Sequence, residues 1–161
     1  MLVLRYTLIG LVIVALAAGI VFWLNRGSQV RLGGEVVRVR TLSTSESSSV
    51  LIAEVRIENP ARVPFIVREV RLSMTSAKGV PVVGDPIAQG DLDRLLGYLP
   101  AEGPRYNETL KVKSKLGGGS RSDWTVPASF RLPQSELDAR RGFSVEIEDV
   151  DGVVVTVVER P

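Results

Sequence analysis

No histidine and no cysteine occur anywhere in the 161 residues. The chain therefore lacks the commonest general base near neutral pH, the thiolate nucleophile, disulfides, covalent haem attachment and the usual zinc ligands. Thiol-free chains suit reducing and oxidising compartments alike, so the absence leaves the compartment open. Aromatic residues make up only 6%. A dominant charge is missing too: setting Arg5 aside, 19 basic residues face 18 acidic ones, and so weak a field gives no reason to expect nucleic acid. Hydrolase and nucleotide motifs are also lacking. "GGSRS" has Ser122 where the G-x-S-x-G elbow needs glycine, no S-x-x-K occurs, and "LGGGSRS" has no lysine after its glycines. Asp91 with Asp93 gives a carboxylate pair with no assignable acid-base partner. A non-enzymatic protein without cofactor or metal is the expectation.

What the sequence does contain begins with a long apolar run. Tyr6 to Leu24 holds 19 residues without a charge or a proline, between Arg5 and Arg26. As a helix it would extend roughly 28 Å, close to the ~30 Å thickness of a bilayer core. Tyr6 and Phe22-Trp23 mark both ends with rings that favour the lipid-water interface. The spacing predicts a transmembrane helix over 6–24 within an anchor of residues 1–25. It also predicts a linker over 26–34 and a folded domain over 35–161. The competing reading is a signal peptide cleaved after Ala15-Leu16-Ala17, leaving Ala18 as the new terminus. Sidedness stays open. Arg26, Arg31, Arg38 and Arg40 follow the span and count toward a cytoplasmic domain, yet long domains translocate regardless of charge. The adopted expectation is a single-pass signal-anchor with its domain outside the cytoplasm, periplasmic in a bacterium.

Beyond the linker, period-2 patterns alternate with turn signals, as in half-buried strands. In "VLIAEVRIE", Leu51, Ala53, Val55 and Ile57 form the apolar phase. In the next run Phe65 and Val67 start one phase while Val70, Leu72 and Met74 continue in the other, which predicts a bulge at Arg68-Glu69. "YNETLKVKSKL" reads as a strand with Tyr106, Leu110, Val112 and Leu116 inward. "WTVPASFRL" reads as an edge strand with Trp124, Val126, Ala128, Phe130 and Leu132 inward, because Pro127 cannot donate to a ladder. "EDVDGVV" predicts a hairpin with a three-residue loop, Val150 to Gly152, pairing Ile147 with Val155 and Val145 with Val157. Short helices are expected at "GDLDRLLGYL", capped by Asp91, and "SELDARRG", capped by Ser135. "LSTSESSS" reads as a polar, mobile loop. About seven or eight strands at this spacing predict an all-β chain folded as a sandwich.

The stretch "VRIENPARVPFIVREVRLSMTSAKGVPV" resembles the water-stress and hypersensitive-response domain of type-2 late-embryogenesis-abundant proteins and their bacterial relatives. Asn59-Pro60, Val63-Pro64-Phe65 and Lys78-Gly79 stand where that family has its strand end, second strand and glycine turn. A later stretch, "DLDRLLGYLP" with "SFRLPQSELDARRGFSVEI", resembles small membrane-anchored bacterial envelope proteins. The resemblance covers about 30 residues and implies an immunoglobulin-like or fibronectin-like sandwich with no catalytic residue to carry over.

Each candidate contact has an ordinary structural explanation beside it. Lys111, Lys113 and Lys115 would project about 7 Å apart from one strand face toward anionic headgroups or a partner, or simply keep a strand soluble and unpaired. Glu148, Asp149 and Asp151 lack the alternating acids of a calcium loop and read as a solvated tip. "NPARVP" reads as a connection between strands, Asn59 bonding nearby backbone, with a ligand loop as the alternative. Asn107-Glu108-Thr109 matches a glycosylation sequon. The expected partners are membrane lipid through residues 6–24 and a protein of unknown identity, with no nucleic acid. The function expected is that of a structural or interaction module of the cell envelope. The alternative is a stress-protective or lipid-binding domain of the late-embryogenesis-abundant type.

Overall fold

The computed structural model describes residues 14–20 and 32–159. Residues 14–20 are helical and exposed. The remainder of the expected membrane segment 6–24, and residues 26–31 of the expected linker, lie outside the described residues. Among the described residues no helix is long and apolar enough to cross a membrane.

Alternation builds the strands, and turn chemistry joins them. β1 (Gly33–Ser45) and β2 (Ser48–Asn59) form a long hairpin whose end is the stretch expected to be a mobile loop. Ser45 pairs with Ser48 across Glu46-Ser47, and Leu42 lies buried opposite Val50. Serine-rich composition hides a strand when the hydroxyls bond locally: Thr44 Oγ1 lies 3.1 Å from Ser48 Oγ. β3 (Phe65–Thr75) follows, then β4 (Pro81–Val83), β5 (Asp85–Pro86), α1 (Gln89–Tyr98) and a 3-10 turn at Pro100–Glu102. β6 (Lys115–Leu116), β7 (Ser120–Phe130), α2 (Gln134–Asp138), β8 (Gly142–Asp149) and β9 (Val154–Val158) complete the chain.

Two antiparallel sheets result, ordered β1-β2-β7-β5 and β4-β3-β8-β9, with β6 added to β3. This is a β-sandwich, as the strand spacing predicts. Leu51, Ala53, Val55 and Ile57 of β2 are at most 2% exposed, as are Phe65, Val67, Leu72 and Met74 of β3 and Phe143, Val145 and Ile147 of β8. The register of β3 on β8 shifts between Val67 and Glu69, leaving Arg68 as the extra residue of the expected bulge. At the C-terminal hairpin Ile147 pairs with Val155 and Val145 with Val157, and Gly152 has φ +80°. The three-residue loop is the one the sequence indicates.

Four local expectations need correction. Residues 106–116 form no continuous strand: only Lys115–Leu116 joins a ladder, and Lys113 has φ +70° inside a turn. Tyr106 and Val112, expected inward, are 53% and 58% exposed. Trp124 is only half-buried and donates Nε1–H to Ser122 Oγ at 2.8 Å. Both helices start earlier than expected, with Ala88 and Pro133 at the N-cap positions in place of Asp91 and Ser135.

Pro127 lies on the last long strand of its sheet, but the outer edge of β7 is not bare. On that side Asp85–Pro86 pair with Ser129 and Ala128, the Ile87 N–H donates to the Pro127 carbonyl at 3.3 Å, and Thr109 forms a parallel bridge to Thr125. Two short segments flank the position where proline offers no donor.

The outer face of the first sheet carries a third layer. Leu42, Val50 and Ile52 pack there with Leu92 and Leu96 of α1. β2 is therefore buried on both faces over most of its length, where alternation alone indicates one.

Candidate functional site

The "NPARVP" stretch is a connection, fixed by its first residue. Asn59 is 1% exposed; its Nδ2 donates to the carbonyls of Val63 (2.9 Å) and Leu116 (3.1 Å), and its Oδ1 accepts from the Ala61 N–H (3.1 Å). The buried side chain satisfies the loop backbone and ties it to β6. The acidic hairpin also has structural work: Asp149 Oδ1 accepts the N–H groups of Ile66 (3.0 Å) and Val150 (2.7 Å). Asp91 and Asp93 are engaged separately, by Arg94 at 3.3 Å and Arg105 at 2.9 Å.

The three lysines do not make a stripe. The Lys111 carbonyl accepts from the Ser114 N–H at 2.9 Å and the Lys111 N–H donates to Ser114 Oγ at 3.1 Å, closing a turn. That turn docks on β3, with the Lys113 N–H donating to the Val67 carbonyl (2.7 Å) and the Val67 N–H to the Ser114 carbonyl (2.9 Å). Lys115 alone sits in a strand, opposite Ile66. All three side chains are exposed, and no ion pair involves them among the described residues.

What the structure forms beside Lys111 is a groove of about 730 Å³ along one side of the sandwich. Its walls are two places where the chain passes from sheet to sheet. At the first, β4 pairs with β3 and β5 with β7, so the crossing falls at Gly84. Glycine is needed there because a Cβ would lie 2.7 Å from Phe130 Cζ and 2.8 Å from Ala128 Cβ. At the second, Thr109 bridges to Thr125 while the turn after it rests on Val67. The apolar lining comes from Val70, Val83, Pro86, Ile87, Leu110 and Val112, and a volume of this size suits a small ligand or a few side chains.

Unpaired polar groups also border the groove. Along β8, the Phe143 carbonyl and the Asp149 N–H bond toward β9, so by alternation Ile147 between them also turns its backbone to β9. Its partner Val70 thus receives no bond from β8, and it faces the side on which the Leu72 carbonyl takes the Gly84 N–H. On that side β6 ends its pairing at Ile66 and β4 begins at Ser73, so the register gives the Val70 N–H and C=O no strand partner. Thr109, only 4% exposed, lines the same groove with an unpartnered Oγ1. At the rim, Arg71 lies 2.6 Å from Glu69, whose hydrogen bond raises the guanidinium pKa above its ordinary value.

A second polar cluster lies under the segment that follows the 3-10 turn. Glu54, 3% exposed, accepts at Oε2 from Asn107 Nδ2 (2.8 Å) and Thr125 Oγ1 (2.8 Å). Asn107, noted in the sequence as a sequon, thus has its amide nitrogen committed to a buried carboxylate. Arg40 Nη2 stands 3.7 Å from Glu54 Oε1, its Nη1 donates to the Glu102 carbonyl at 2.8 Å, and Tyr106 lies 4.6 Å from the Arg38 guanidinium and 5.0 Å from that of Arg40. The cluster locks the third layer over the sheet. Its sequence signal is faint: Val50 and Ile52 share a phase with Glu54, which implies cover on that face.

No family model and no curated protein matches the chain. Among solved structures, it is similar to a structural-genomics target at 10% identity, TM-score 0.37, over 86% of each chain. It is also similar to an uncharacterised β-sandwich protein from Clostridium difficile at 9% identity, TM-score 0.37, over 82% of each chain. At these scores and identities the likenesses carry no argument about function.

Proposed function

We propose that this protein is a non-catalytic interaction module, tethered to a membrane by residues 6–24, with the groove between its two sheet crossings as the binding surface. The observation that carries the reading is the groove itself: apolar in lining, open to solvent, and rimmed by Val83 and Val112, which are 61% and 58% exposed. Exposed apolar side chains gathered at one opening are characteristic of binding surfaces. Its chemistry suits adhesion better than turnover, since Glu69 and Arg71 at the rim are tied to each other and the remaining lysine, Lys111, faces no nucleophile.

The test uses the full chain solubilised from membranes. Wild type should retain a stoichiometric partner that Val83→Asp releases, with unchanged thermal stability because Val83 is exposed. Retention of the same partner by the variant would remove the groove from the reading. Alkaline carbonate washing should leave the intact chain in the membrane pellet, and a soluble form beginning at Ala18 would replace the anchor with a signal peptide.

The apolar lining also supports a second reading, a lipid-binding or stress-protective domain of the late-embryogenesis-abundant type. Organic extraction of the purified protein distinguishes it, because a lipid carrier should release one acyl chain per protein molecule.

A further inference from the structure

We infer that the groove receives the C-terminal end of a partner polypeptide, which pairs in extended conformation with the free edge of β3 at Val70. The inference rests on the groove being the binding surface proposed above and adds the occupant's chemistry. Three observations define that chemistry, and each removes a competitor.

The first is the pair of Val70 backbone groups, a donor and an acceptor on one strand edge inside an apolar groove. Val70 is half-buried and its backbone meets no neighbouring strand on that edge, and an incoming peptide backbone supplies the matching acceptor and donor together. This is how a peptide adds to an exposed sheet edge. Thr109 Oγ1, 4% exposed and unpartnered, adds a hydroxyl that can accept or donate to the same backbone. An acyl chain would line the apolar wall equally well and leave all three groups unpaired.

The second is the length of the free edge. β6 and the turn after Lys111 occupy the neighbouring position on β3 up to Val67, and β4 occupies it from Ser73, with Gly84 bonded to Leu72. The gap between Val67 and Leu72 spans roughly 17 Å at ~3.3 Å per residue. A long strand running through would collide with β4 or β6, so the occupant enters by its end and places about three residues against the edge.

The third is charge. Among the charged side chains lining the groove, Glu69 and Arg71 pair with each other and Asp85 lies 3.9 Å from Arg131, whereas Lys111 is in no ion pair among the described residues. An uncommitted ammonium at the mouth complements a carboxylate, which selects a C-terminus over an N-terminus. The occupant is therefore an extended tail, apolar at alternate positions, with its carboxylate toward Lys111.

The probe is a synthetic array of pentapeptides ending in Val, Leu or Ile with free carboxylates, read by fluorescence polarisation against the full chain in detergent. The best member should weaken at least about tenfold when its C-terminus is amidated, and about tenfold against Lys111→Gln. N-methylation of the one backbone amide that bonds the Val70 carbonyl should abolish binding while neighbouring N-methyl positions are tolerated; this readout leaves the protein unaltered, so misfolding cannot mimic it. Thr109→Val should weaken binding with little change in melting temperature. Amide and carboxylate peptides binding alike would overturn the C-terminal assignment. Binding indifferent to every N-methyl position would overturn the strand pairing. If no array member binds but Val83→Asp still releases the membrane partner, this inference fails and the interaction module stands. If fluorescent laurate binds instead, the groove is a lipid site and the peptide is excluded.

Discussion

Gly152 is the clearest case of one residue answering to one backbone requirement. Its φ of +80° closes the three-residue loop, and nothing lies within 4 Å of where a Cβ would sit, so the conformation alone excludes other side chains. Gly152→Val should lower stability by roughly 1 to 3 kcal/mol, measured as a shift of the urea midpoint of the full chain, while Glu148→Gln should stay within about 0.5 kcal/mol. An unshifted Gly152→Val midpoint would contradict the positive φ. Asp123 answers to charge in the same direct way. Arg56 holds it through two hydrogen bonds, Nε to Oδ1 at 2.7 Å and Nη2 to Oδ2 at 2.9 Å, and the first cause of its lowered pKa is that bonding. A carboxylate whose folded pKa lies below its ordinary 3.8 stabilises the fold above that value and loses the contribution as pH falls through the folded pKa. Wild type should thus exceed Asp123→Asn in urea midpoint at about pH 6, and the gap should close toward about pH 3. A gap constant with pH would assign the difference to packing. Both residues were within reach of sequence reasoning to different degrees: Asp-Gly announces its turn, whereas Arg56 and Asp123 meet only because β2 and β7 pair in one register.

At the scale of elements, the helix α1 shows what alternation leaves out. Its ten residues have no side-chain cap, and a helix so short is marginal in isolation. What holds it is Leu92 and Leu96 set on Leu42, Val50 and Ile52 of the outer sheet face. Leu92→Ala should cost about 2 to 5 kcal/mol, the range for truncating a buried leucine, and Tyr98→Ala, at an 82% exposed site, under about 0.5 kcal/mol. Equal urea midpoints for the two variants would mean that α1 does not dock. The amphipathic sequence announced a helix here, but not that a sheet face awaited it. Period-2 patterning reports one buried face, and in the even phase of β2 the charges of Glu54 and Arg56 dilute the faint sign of cover that Val50 and Ile52 give. The failed strand at 106–116 has a related cause. Its alternation of lysine and apolar residues fits a strand, yet the Thr109 bridge to one sheet and the turn seated on Val67 in the other pull the segment across the sandwich. Those long-range bonds leave no local trace. The groove was for the same reason illegible, since its walls are crossings defined by pairing between distant strands; of its lining, Lys111 was the candidate contact named beforehand, for a stripe that does not form.

For the whole molecule, the strand order separates two edges of the first sheet. β1, where the described domain begins, is one end of the order β1-β2-β7-β5, and the groove borders β5 at the other. Three inter-strand steps at ~4.8 Å place the edges roughly 14 Å apart. Near its start β1 is pressed against β9 so closely that a Cβ on Gly34 would overlap Val157. For a chain held at its N-terminal end, that arrangement has a mechanical meaning. Tension applied at Gly33 reaches the β5 side of the groove across the β1–β2 and β2–β7 ladders, each with eleven paired positions. Such ladders share a load among many bonds in parallel, so a pull at the start of β1 is spent on stiff backbone before it distorts the Gly84 crossing.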